Sequence, residues 1–148
     1  MAATGVTISD VQAEAIGIRC PIGDCKTVLA DPFQGSDVVA GHAYLVSNML
    51  LFALEDRDGA GPVGNCEVTC AYEIPKLQLS NARPSKIRAV DALLIGHRLG
   101  YNAGSDLFCI KTALYATVGH VLEAKAANAS EVLIHFIGNI EADYIAST

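Results

Sequence analysis

The sequence predicts a small, single-domain, all-β protein of barrel or sandwich type. Three observations carry this. Short apolar runs of four to nine residues recur along the chain, separated by turn signals. One of them, "CEVTCAYEI" (66–74), alternates strictly, the mark of a half-buried strand. The chain has 148 residues, of which 51% are hydrophobic and only 18% charged, enough to build a core in one domain. No apolar stretch approaches the ~20 residues of a membrane helix, so the surplus belongs inside the domain or between copies of it.

The elements follow in order. Residues 1–14 are small and polar and form an N-terminal arm, residues 15–140 the β-rich domain, and residues 141–148 a C-terminal tail. In the arm, Ser9 and Gln12 fit a capping box for one short helical turn, which Gly17 interrupts. Val6 and Ile8 alternate about Thr7, so this stretch is suited to adding a strand to a neighbouring sheet; with Val11 they are the candidate partner contacts. Alone, the arm is expected to be disordered, because its burial cannot offset backbone entropy of ~1–2 kcal/mol per residue. "AIGIRC" then ends at Pro21, and "KTVLA" ends at "DPFQGSD". "AYLV" meets "MLLFALE" across Ser47-Asn48, a two-residue hairpin turn. Residues 55–65 form a loop, and the 66–74 strand follows, with Cys66, Val68, Cys70, Tyr72 and Ile74 on one face ahead of Pro75. The later runs are "VDALLIGHRL", "LFCIKTALY", "TVGHVLEA" and "EVLIHFIGNI". In "KTALYATVGHVLEAKAA", Leu114, Val118, Val121 and Leu122 also match a helical template, although Gly119 would cost a helix ~1 kcal/mol relative to Ala. Local pattern leaves that segment open.

Candidate chemistry is sparse. Cys66 and Cys70 share a face but stand about 13 Å apart on a straight strand, too far for one zinc ion or a disulfide. They read as core hydrophobes. "CPIGDC" offers Cys20 and Cys25, with Cys109 as a third thiolate, at a spacing looser than zinc knuckles use; partly buried free thiols are expected. Asp56, Asp58, Gly61 and Glu67 occupy positions 1, 3, 6 and 12 of a calcium loop, but Ala60 and Pro62 break the pattern, and an acidic hairpin loop is favoured. His120 and His135 lie in apolar strands as core or interface imidazoles. No nucleophile motif or phosphate loop is present, so neither enzymatic activity nor a cofactor is expected. A net charge of −6 argues against nucleic-acid binding. Five irregularly spaced cysteines suit a reducing compartment, and residues 1–10 show no secretion signal. Both faces of "EVLIHFI" are apolar, so Leu133, His135 and Ile137 are the candidate subunit interface of a homo-oligomer.

Residues 16–138 resemble the small decoration (cement) proteins of tailed-bacteriophage capsids. Val39, Gly41, Leu45 and Val46 match the family's "V-x-x-G-x-x-x-L-V" element, and Tyr72, Glu73, Ile74, Pro75 and Lys76 its "F/Y-E-L-P-K". Gly119, Leu122, Glu123, Ala124, Val132 and Ile134 match the C-terminal pair. "NMLLFALED" is bulkier than the family's hairpin, and the 79–90 connector is longer. The resemblance implies a β-barrel or β-tulip-like fold, with strands near 108–114 and 118–124. It implies a homotrimer on the exterior of a virion, bound to the major capsid protein and stabilising the shell. The competing expectations are an enzyme or ligand-binding barrel, with a deep pocket lined by His120, His135 and Cys109, and another virion part such as a tail-tube or head-completion protein.

Overall fold

The computed structural model describes residues 8–31, 37–46, 49–58, 67–111 and 117–138. Within them lie one short helix, α1 (Asp10–Ala15), and nine strands. The strands are β1 (Lys26–Ala30), β2 (Ala43–Val46), β3 (Met49–Ala53), β4 (Val68–Ser80), β5 (Lys86–Ile87), β6 (Arg98–Asn102), β7 (Leu107–Ile110), β8 (Gly119–Val121) and β9 (Glu131–Ile137). The fold is all-β, as the spacing of apolar runs predicts.

The strands form one sheet in the order β2-β3-β4-β9-β8-β6-β7-β5, with β1 also paired to β4. Every pair is antiparallel except β5 with β7. β4 is the spine: its first half takes β1 and β3, its second half β9. The sheet curls strongly into a half-barrel. Across the remaining gap the Ser85 hydroxyl donates to the Gly41 carbonyl, and the Tyr101 hydroxyl lies 3.5 Å from the Ala43 carbonyl.

The core lies inside the curl. Phe136 packs against Phe52 and Phe108, each with ring centroids 6.2 Å away, and all three rings are fully buried. Leu50, Leu54, Ile74, Leu77, Leu79 and Leu99 complete this cluster. A smaller cluster of Val38, Leu51, Ala53, Val68 and Cys70 covers another side of β3 and β4.

Four points of the structure bear on these expectations. First, the 66–74 alternation does not keep one face. Cys70 belongs to the smaller cluster with Tyr72 against it, whereas Ile74 joins Ala71 in the main core. A bulge explains this, because Lys26 pairs with Glu73 and Thr27 with Ala71, so one step on β1 spans two on β4. Second, the strand runs on through the proline to Ser80. A second irregularity between Ile74 and Leu77 absorbs Pro75, which has no N–H to give the ladder. Third, the segment that local pattern leaves open is strand at residues 119–121, matching the strand expected near 118–124, and Val118 and Val121 are both core. Fourth, residues 8–14 are not a free arm. The Ser9–Gln12 capping box forms, Ala13 is buried in the core, Ile8 packs against it, and the Asp10 carboxylate accepts the Ile22 N–H.

Candidate partner-binding surfaces

Leu133, His135 and Ile137 lie on the outer face of β9 and are half-buried within the chain itself. That face is less apolar than the sequence of β9 alone suggests, because neighbouring strands bring charge to it. His120 of β8 stands opposite His135, and Arg98 of β6 stands opposite His120. On the other flank, His135 Nε2 is 2.9 Å from the Glu73 carboxylate, which also meets the Lys26 ammonium at 3.4 Å. A row of Arg98, His120, His135, Glu73 and Lys26 thus crosses five strands. The hydrogen bond from His135 and then the Lys26 ammonium hold the Glu73 carboxyl below the usual carboxylate range, against the opposing pull of burial. Cys109 does not join the two histidines. It is buried on β7, beyond β6, with its thiol against the Gly100 carbonyl.

The loop before β6 carries the most exposed aliphatic group after Val11: Val90, Leu94 and Ile95 are 62, 63 and 72% exposed. The sequence pattern of "VDALLIGHRL" suggests a strand, but only its end is one. The rest is held as a shaped loop from beneath. Lys125, 4% exposed, donates its ammonium to the Ala89, Asp91 and Ala126 carbonyls. Leu93 and Lys125 exchange two backbone hydrogen bonds. The buried Asp91 carboxylate takes Arg88 on one oxygen and the Ile110 N–H on the other. Burial lowers the Lys125 pKa, and Asp91 partly restores it. At the tip, the Leu94 N–H donates to His97 Nδ1, and Gly96 takes the left-handed conformation of the turn.

At the other end of β6 lies an open cleft lined by Ala43, Tyr44, Leu45, Tyr101, Ala103 and Asp106. Its parts come from β2 and from the β6–β7 turn. Asp106 sits in the left-handed region (φ 57°) and accepts the Tyr101 hydroxyl, while facing His42 Nδ1 at 3.6 Å. Burial, then the Asp106 bond, push the Tyr101 phenol well above its ordinary pKa. Leu45, 41% exposed, forms one wall.

The remaining sequence candidates fall as follows. A single 3-10 turn (Ile22–Asp24) follows Cys20 and leads into Cys25, which has Cys20 as its neighbour. Burial and that neighbour push the Cys25 thiol up to about 12, which disfavours the thiolate a metal needs. Among the described residues, no three His, Cys, Asp or Glu side chains cluster as metal ligands. Asp56 accepts the Ala40 N–H; Gly61, Cys66 and Val6 lie outside the described residues. Ile8 is packed on the core, and Val11 is 78% exposed. No described helix is long and apolar enough to cross a membrane. Sequence reasoning missed the loop and the cleft, the cleft because its residues lie far apart in the chain.

Comparison with known proteins returned no matching family model, no matching curated protein and no matching solved structure.

Proposed function

We propose that this protein is a structural virion component, a homotrimer that binds the major capsid protein on the outside of a tailed-phage head and stabilises the shell. The observation that carries the reading is the loop bearing Val90, Leu94 and Ile95: three aliphatic side chains held in water on a braced backbone. Such a group is suited to burial against a partner. The order of the resembling segments supports the same reading. Leu45 and Val46 lie in β2, Tyr72 to Lys76 in β4, Gly119 in β8, and Val132 and Ile134 in β9. Packaged DNA pushes outward on a shell, and a trimer bridging several shell subunits adds contact area at each junction. Three weak contacts acting together hold far more tightly than one. On this reading, α1 with the residues before it is the candidate shell contact.

The test is co-sedimentation of purified protein with undecorated heads made from the phage or prophage genome that encodes it. Saturable binding at a fixed ratio to shell subunits, with heads that resist heating longer, is the expected result. A gene neighbourhood without head-assembly genes, or heads that bind none of the protein, overturns the proposal.

A further inference from the structure

We infer that the Val90–Leu94–Ile95 loop of one copy docks in the β2–β6 cleft of a second copy, giving a head-to-tail contact between unlike surfaces. Knob and cleft lie at opposite ends of β6, whose five residues span ~13 Å, so no copy fills its own cleft. Apolar groups match across the contact, with Leu94 and Ile95 meeting Ala43, Leu45 and the ring of Tyr101. Charge matches as well. Residues 83–98 hold four of the chain's ten Lys and Arg but one of its sixteen Asp and Glu, a local charge of +3 that leaves −9 for the rest. Arg98 is exposed beside the knob, and the Asp106 carboxylate, 48% exposed, is on the cleft wall. A second copy therefore offers the knob an acidic, partly apolar cleft.

Bracing reinforces this. The Lys125 ammonium and the Asp91 carboxylate fix the loop before it meets a partner, so little conformational entropy remains to be lost on docking. A contact between unlike surfaces closes into a ring when its rotation allows, which is what a trimer requires; only the number of copies rests on the function proposed above.

The test uses the full chain and sedimentation velocity, without phage heads. Three variants are compared with the wild type: the knob variant Leu94→Asp/Ile95→Asp, the cleft variant Leu45→Asp, and Leu133→Asp on β9. All four substituted side chains reach the surface, and circular dichroism checks that each variant keeps the wild-type strand signal. The wild type is expected to be oligomeric, weakening with added salt, and the knob and cleft variants each monomeric. Their equimolar mixture is expected to form a heterodimer, since one partner keeps a working knob and the other a working cleft. Leu133→Asp is expected to leave assembly intact. A monomeric wild type, a mixture that stays monomeric, or assembly lost through Leu133→Asp instead overturns the knob-and-cleft contact. Failure to bind heads, with this pattern intact, overturns only the virion role.

Discussion

Lys125 shows how much one buried polar side chain can organise. Its ammonium donates to three carbonyls; those of Ala89 and Ala126 also accept the Asn128 and Ala129 N–H groups, while that of Asp91 relies on the ammonium. Lys125→Met keeps the length and apolar stem but removes every donor. It is expected to cost about 1–3 kcal/mol, read as a lower urea midpoint, because the Asp91 carbonyl, left without that donor, retains its desolvation penalty. Cys70 is the opposite case. It is fully buried, burial first and Glu55 next push its thiol up to about 12, and it bonds only to the Val68 carbonyl. Cys70→Ala should cost on the order of 1–2 kcal/mol through lost packing and leave the zinc content of the purified protein unchanged. Stoichiometric zinc lost with the substitution would contradict that. Glu73 governs acid response on the outer face. Its folded pKa is depressed, so its contribution is fully present above the ordinary value of 4.5 and lost as pH falls through the lower folded value. In an exposed pair the amount is below about 1 kcal/mol. Glu73→Gln should flatten that part of the stability–pH curve by lowering the neutral-pH plateau by that small amount, leaving the acid end nearly unmoved.

At the scale of elements, what could be read in the sequence depended on whether one strand face stayed in the core. β1, β2, β3 and β9 fall on the apolar runs, and β9 keeps its alternation throughout, with Val132, Ile134 and Phe136 inward. β4 does not, because its two irregularities change which residues face inward without changing composition. Pro75 hinted at the second, but nothing near Tyr72 announces the first. The 88–97 loop misled for a different reason: aliphatics exposed on a loop look the same in sequence as aliphatics turned into a core. Gly119 is where local sequence and packing meet. A Cβ there would stand 2.6 Å from the His135 backbone carbonyl, which cannot yield without parting β8 from β9. Gly119→Ala is therefore expected to destabilise by about 1–3 kcal/mol. Gly96→Ala, where no atom lies within 4 Å and only the positive φ is strained, should cost about 1–2 kcal/mol and spare the sheet. Hydrogen exchange on β8 and β9 separates the two, since only the first should speed exchange there.

On the scale of the whole molecule, the N-terminal segment holds the fold from residue 8 onward. Residues 8–15 are tied in three ways: Ala13 is buried, Ile8 packs on the core, and Asp10 caps the Ile22 amide. Arg19 adds a fourth tie, donating to the Glu14 carbonyl at the end of α1 while its other guanidinium N–H groups hold Gln78 of β4. Deleting residues 2–12 would remove the capping box and the Asp10 bond together, and an N-cap alone is worth about 1 kcal/mol. That truncation should lower the melting temperature. Deleting residues 2–7 removes none of these four ties and should leave it unchanged; on the knob-and-cleft proposal it should leave assembly unchanged too. The shorter deletion is therefore the clean test of whether the segment before α1 meets the shell. If it does, the 2–7 deletion occupies heads more weakly than the full chain while melting at the same temperature. Equal occupancy by both in a co-sedimentation titration would remove Val6 from the binding mechanism and leave the exposed Val11 of α1 as the only arm residue able to serve it.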